Sequence, residues 1–139
     1  MTILMVTPLQ AEVDLLVHAW ERLGLHAVRV GIGRLPAVTF PDLHVSLACG
    51  GHGKAQFALQ TQHLIERSHA LEMVICAGAA GGLAEGVAVG DIVVATSTIE
   101  HDFHRKFSDR PVPRFDGSPE AIASLRHVEM SARGFCVHY

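Results

Sequence analysis

At 139 residues, 49% hydrophobic and 18% charged, the chain carries enough apolar side chain for one globular core and too much to stay disordered. A formal net charge of −3 leaves no basic footprint, so neither nucleic acid nor an anionic membrane is an expected partner, and a small molecule is the default. No charged start leads into an apolar run with a small-residue cleavage site, and no apolar run reaches membrane-spanning length, so the expected compartment is the cytoplasm.

Residues 2–7 (Thr-Ile-Leu-Met-Val-Thr) form a short apolar run stopped by Pro8, the pattern of a buried strand entering a turn. Leu9, Val13, Leu16, Val17, Trp20 and Leu23 recur at helical spacing before Gly24, predicting a one-sided amphipathic helix. Segments 26–30, 37–40 and 43–49 are separated by Gly31, Gly33, Pro36 and Pro41, which predicts a hairpin followed by another strand. Gly50-Gly51-His52-Gly53-Lys54 opens a second helix whose expected buried face is Phe57, Ala58, Thr61, Leu64 and Ile65. A strand at 73–77 runs into Gly78-Ala79-Ala80-Gly81-Gly82, and the β-branched run 91–96 reads as a further buried strand. The polar stretch 100–117 holds Pro111 and Pro113 and is expected to be a long excursion. Ser118-Pro119-Glu120 signals a helix start, with serine as cap, proline in the first turn and an acid at the positive end of the dipole. That helix should extend to about Ala132, with strand-like residues 135–139 after it. Strands alternating with helices argue for an α/β sandwich, three-layered around a mixed central sheet, in a single domain over residues 1–139. Cys49, Cys76 and Cys136 each lie in an apolar run and are expected to be reduced core thiols.

Several motifs fail on spacing. A phosphate loop needs glycine where Ala48 stands and a hydroxyl residue where Ala55 stands, and no glycine cluster matches the dinucleotide fingerprint. Nucleoside triphosphate and nicotinamide cofactors are thereby set aside, and no cofactor is expected. His101, Asp102 and His104 lack a distant further ligand, so no metal site is expected. Two features stay open on residues alone. The run from Gly78 to Gly82 exposes backbone where a flat ligand could lie, yet a wide turn has the same composition. Glu12, near the start of the first helix, is either a dipole-compensating surface acid or a carboxylate placed to take a proton from water.

The order of these pieces resembles the methylthioadenosine/adenosylhomocysteine nucleosidases of the purine nucleoside phosphorylase superfamily. The resemblance is carried by the acid at Glu12, Gly51-His52-Gly53-Lys54, Ala77-Gly78-Ala79-Ala80-Gly81-Gly82-Leu83, Val89-Gly90-Asp91-Ile92-Val93-Val94 and His101-Asp102. It implies that Glu12 orients and deprotonates the water attacking the anomeric carbon. It further implies that Ala79, Ala80 and Gly81 support purine and ribose, that His52, Pro8 and Leu9 line the substrate site, and that Asp91 is structural. The family's Ala-Met pair is Pro8-Leu9 here, and Ala79 replaces a serine whose hydroxyl helps hold a catalytic aspartate. The phosphorylases' phosphate-binding arginine has no counterpart between Pro8 and Glu12, which favours water as nucleophile.

Val128-Glu129-Met130 matches the family's ribose-binding acidic segment only superficially, because it falls in the helix begun at Ser118 instead of after a strand. The resemblance therefore covers an N-terminal part of the family's fold, incomplete at the C-terminus, and this chain alone is expected to be inactive. The implied activity is hydrolysis of the N-glycosidic bond of an adenine nucleoside. A phosphate-dependent phosphorylase and a non-catalytic purine-binding or assembly module are the alternatives. Family members are dimers or hexamers, so the resemblance implies a homo-oligomer, a dimer first, with Phe103 and Phe107 of the excursion reaching a neighbour's pocket.

Overall fold

The computed structural model describes residues 2–100, 102, 111–126 and 134–135. They fall into two compact units, Met1–Ala80 and Gly81–Tyr139.

The first unit contains β1 (Thr2–Thr7), α1 (Gln10–Arg22), β2 (Val28–Ile32), β3 (Leu35–Phe40), a 3-10 turn (Pro41–Leu43), β4 (Val45–Cys49), α2 (Lys54–Arg67) and β5 (Leu71–Cys76). Its sheet has the order β2-β3-β4-β1-β5. β1 runs parallel to β4 and β5, while β3 is antiparallel to both β2 and β4. The sheet is therefore mixed. Leu4 and Val6 point to one face, where they pack with Ala37, Ala48 and Leu64 of α2. Ile3 and Met5 point to the other, where Val13 and Val17 of α1 meet Val38, Phe40, Val45 and Leu47. With a helix on each face, β1 must be apolar at successive positions, which is why it reads as a continuous run and not as an alternation. The unit is thus a three-layer α/β sandwich.

Phe40 is fully buried and meets Trp20 edge to face, with ring centroids 4.9 Å apart and planes at 77°; such a pair is worth about 0.5–1.5 kcal/mol beyond its burial. On α2 the buried stripe is narrower than expected. Leu64 is buried and Phe57, Thr61 and Ile65 are half-buried, but Ala58 faces solvent. Leu9 and Leu23, at the ends of the α1 stripe, are likewise exposed, because only the middle turns of the helix lie over the sheet. Cys76 is exposed and not a core thiol. It ends β5, an edge strand whose Glu72, Val74 and Cys76 share the open face, and what burial it has pushes its thiol pKa up.

The second unit contains β6 (Ile92–Val93), β7 (Ser97–Ile99), β8 (Arg114–Asp116), α3 (Pro119–Arg126) and β9 (Gly134–Phe135). β6 pairs parallel with β9, and β7 antiparallel with β8. The strand expected over 91–96 is cut to two residues, with Ile92 and Val93 about half exposed. Asp91 accounts for the late start: its N–H donates to the Ala88 carbonyl and its carboxylate accepts from the Ala88 N–H at 2.8 Å, closing a turn just before the strand. The excursion from Glu100 is clamped at its base, where the Glu100 N–H donates to the Pro113 carbonyl and β8 returns against β7. Ser118 caps α3 as expected, its Oγ accepting from the Ala121 N–H. The expected end of this helix near Ala132 and the strand residues 136–139 lie outside the described residues. Among the described residues no helix is long and apolar enough to cross a membrane.

Candidate active site

Three parallel strands, β4, β1 and β5, end side by side at Cys49, Thr7 and Cys76. The chain leaves β1 for α1 on one face of the sheet and leaves β4 for α2 on the other. Neighbouring strands whose connections part to opposite faces open a crevice at their carboxyl ends, the general location of ligands in α/β sheets.

The loops at that end are held firmly. The Gly50 N–H donates to the Thr7 carbonyl at 2.8 Å and the Ala77 N–H to the Val6 carbonyl at 3.0 Å, so both ladders continue past their strands. Thr7, fully buried, donates its hydroxyl to the Leu9 carbonyl at 2.9 Å. The Cys49 thiol makes a longer contact, 3.5 Å, with the Pro8 carbonyl. With its amide oriented to donate, Gln60 binds the Cys49 and Gly50 carbonyls at 3.1 Å each. Gly50 itself has no room for a side chain, since a Cβ would come within 2.7 Å of both Phe57 and Val6.

Glu12 lies in the first turn of α1 and reaches this end of the sheet. Leu9, the N-cap residue, offers no side-chain acceptor, but its N–H donates to Glu12 Oε2 at 2.9 Å, the returning half of a capping box. The other carboxylate oxygen, Oε1, accepts from the Ala79 N–H at 2.8 Å, across 67 residues of sequence. Each oxygen keeps a further lone-pair site after one such bond. The result is a half-buried carboxylate fixed in orientation by two backbone amides, with capacity left to accept from a water molecule.

Of the residues singled out from sequence, Glu12, Pro8, Leu9 and Ala79 come together here. Ala80 is exposed in the same loop, and His52 is exposed in the turn between β4 and α2. Gly81 belongs to the second unit. Phe103 and Phe107 lie outside the described residues, as do His101 and His104 of the rejected metal motif. Among the described residues no group of three or more His, Cys, Asp or Glu is placed to hold a metal ion. Sequence reasoning missed Gly78, where a side chain would run into Pro8 and Glu12, and the donor role of the Ala79 amide. Its nearest signal was the glycine directly after β5, but the sequence does not reveal which glycine of the run faces the acid.

A carboxylate at the strand ends of a mixed sheet, facing a glycine-rich loop, marks an α/β protein with a candidate ligand crevice, and comparison with known proteins gives its family. The sequence model of the phosphorylase superfamily matches residues 2–134, and the chain belongs to that superfamily. It is 42% identical over 100 residues to a 5'-methylthioadenosine/S-adenosylhomocysteine nucleosidase of Anoxybacillus flavithermus, covering 72% of this chain and 43% of that one. To the same-named protein of Treponema pallidum it is 32% identical over 120 residues, covering 84% of this chain and 41% of that one. Among solved structures it is similar to the Neisseria meningitidis nucleosidase in complex with methylthio-immucillin-A, with TM-score 0.71 and 27% identity over 96% of this chain and 61% of that one. The chain thus spans about two-fifths of the length of these two curated relatives.

Proposed function

We propose that the protein to which this chain belongs hydrolyses the N-glycosidic bond of an adenine nucleoside of the methylthioadenosine or adenosylhomocysteine type, and that these residues supply its water-activating side. The observation that carries the reading is the Glu12 carboxylate held at the strand ends by the Leu9 and Ala79 amides. The names of its relatives supply the substrate class. In the proposed step Glu12 accepts a proton from water as the oxygen bonds to the anomeric carbon. The carbon–nitrogen bond breaks, its electron pair leaves with the base, and adenine takes up a proton. A carboxylate beside the sugar also stabilises the positive charge that develops there. Pro8 and Leu9 are assigned to the sugar side, Ala79, Ala80 and Gly81 to the purine and ribose, and His52 to the substrate's periphery. The cytoplasm is the proposed compartment and a homodimer the proposed assembly, with Phe103 and Phe107 at the neighbour's pocket.

The test is adenine release from methylthioadenosine by the full protein, with and without phosphate. Release should not need phosphate, and Glu12→Gln should slow it by about 10²–10⁴-fold, the usual worth of a general base. Formation of a sugar phosphate would make the protein a phosphorylase, and Glu12→Gln with undiminished turnover would remove the assigned base. Binding of adenine with no turnover of any nucleoside would make it a purine-binding module.

A further inference from the structure

We infer that Gly78 is a positioning residue for Glu12, its bare α-carbon giving the room in which the carboxylate is aimed. This inference rests on the proposed role of Glu12 as the base. A Cβ built on Gly78 would lie 2.9 Å from Pro8 Cδ, 3.1 Å from Glu12 Oε1 and 3.4 Å from Pro8 Cγ. Gly78 does not have the positive φ found at Gly51, Gly53 and four other glycines, so glycine serves here for space and not for backbone conformation. Nor is it a core position, since it is exposed.

Neither neighbour of that space gives way easily. Behind Gly78, the Ala77 N–H is bonded to the Val6 carbonyl, so the loop cannot back off without opening the β1–β5 ladder. Across from it, Pro8 is a ring closed on its own backbone nitrogen, in a turn tied by Thr7 Oγ1 to the Leu9 carbonyl and by the Gly50 N–H to the Thr7 carbonyl. The mobile party is the Glu12 side chain. A methyl group at position 78 therefore crowds the Pro8 ring and displaces Glu12 Oε1 by a few tenths of an ångström, loosening its bond to the Ala79 N–H while leaving the bond to the Leu9 N–H as the pivot.

The experiment is a double-mutant cycle in the full protein, following adenine release from methylthioadenosine together with adenine binding. Gly78→Ala should lower kcat by about tenfold, short of the roughly 10²-fold that a full ångström of misplacement can cost, with KM and adenine affinity close to wild type. In the Glu12→Gln background the same substitution should change kcat by less than about threefold, since residues acting as a unit are not additive. Adding Pro8→Ala, which removes Cδ and Cγ, should recover part of the loss; that pair also supplies a folded protein if Gly78→Ala alone is unstable. An unchanged kcat in Gly78→Ala, an equal fall in both Glu12 backgrounds, or a loss confined to KM or adenine binding would overturn the inference. Wild-type turnover in Glu12→Gln would overturn the base assignment and this inference with it, whereas a strong Glu12→Gln defect with a silent Gly78→Ala would overturn the inference alone.

Discussion

Leu9 shows how one side chain sets local stability against substrate contact. It occupies the N-cap of α1 with extended backbone, φ −120° and ψ 143°, and its carbonyl accepts from the Glu12 and Val13 N–H groups, but its side chain has no oxygen to offer, although Glu12 already returns its half of the box. Leu9→Ser should give the first-turn N–H groups a side-chain acceptor beside the Leu9 carbonyl that the Glu12 N–H already uses, raising stability by about 1 kcal/mol in denaturant melts. It should also raise KM for methylthioadenosine if Leu9 lines the sugar side; a lower melting midpoint would show that the half-exposed leucine packs against more than it caps. Gly50 is the contrasting glycine. An added methyl there meets the Phe57 ring and Val6, so Gly50→Ala should cost about 1–3 kcal/mol of stability as overpacking. Gly78→Ala should act on kcat and cost less stability than Gly50→Ala, because only Pro8 Cδ lies within 3.0 Å of the added methyl. From sequence both are simply glycines after a strand. What separates them is which residues other elements bring up to each, and that is set by β-sheet order.

Among elements, those most legible in sequence were the ones whose apolar faces are covered within the chain's own first unit. β1 and α1 have periodic apolar patterns and clear stop signals, and each falls within a residue or two of its expected bounds. Legibility fails where a polar residue spends its hydrogen bonds on a turn, as Asp91 does ahead of β6, or where apolar residues such as Ala58 and Cys76 sit on an open face. Glu12 was legible as a candidate, but its partner amide 67 residues on was not. The α3 start was fully legible, and it carries a pH signature. The Glu120 carboxyl is held below its ordinary pKa by its own backbone N–H and then by the Ser118 hydroxyl, which donates at 2.9 Å. A carboxyl with a depressed folded pKa contributes stability that is present above the unfolded value and lost as pH falls through the folded one. α3 should therefore loosen at its first turn only below the ordinary carboxylate range. An NMR titration should place Glu120 below a model peptide, and Ser118→Ala should move it back up; a Glu120 midpoint indifferent to Ser118 would show that the hydroxyl bond does not form in solution.

At the scale of the whole molecule, the residues assigned to the reaction activate the water and support the sugar and the purine, and none of them is assigned to deliver a proton to the departing adenine. The chain spans 43% and 41% of the two curated relatives, so turnover is proposed for the protein as a whole. A polypeptide of these 139 residues by themselves is expected to release adenine from methylthioadenosine at least about 10²-fold more slowly, because general-acid help to a leaving group is commonly worth about 10²–10⁴-fold. A sugar held on one side only also spends less time in attack geometry, which compounds the loss. Comparing the 139-residue polypeptide with any longer product of the same gene, each with its Glu12→Gln counterpart, separates the possibilities. Slow release by the short polypeptide and fast, Glu12-dependent release by the longer product is the expected pattern. Fast release by the short polypeptide, abolished in Glu12→Gln, would mean that an acid within these residues protonates the purine, with Glu129 and His138 the first to substitute.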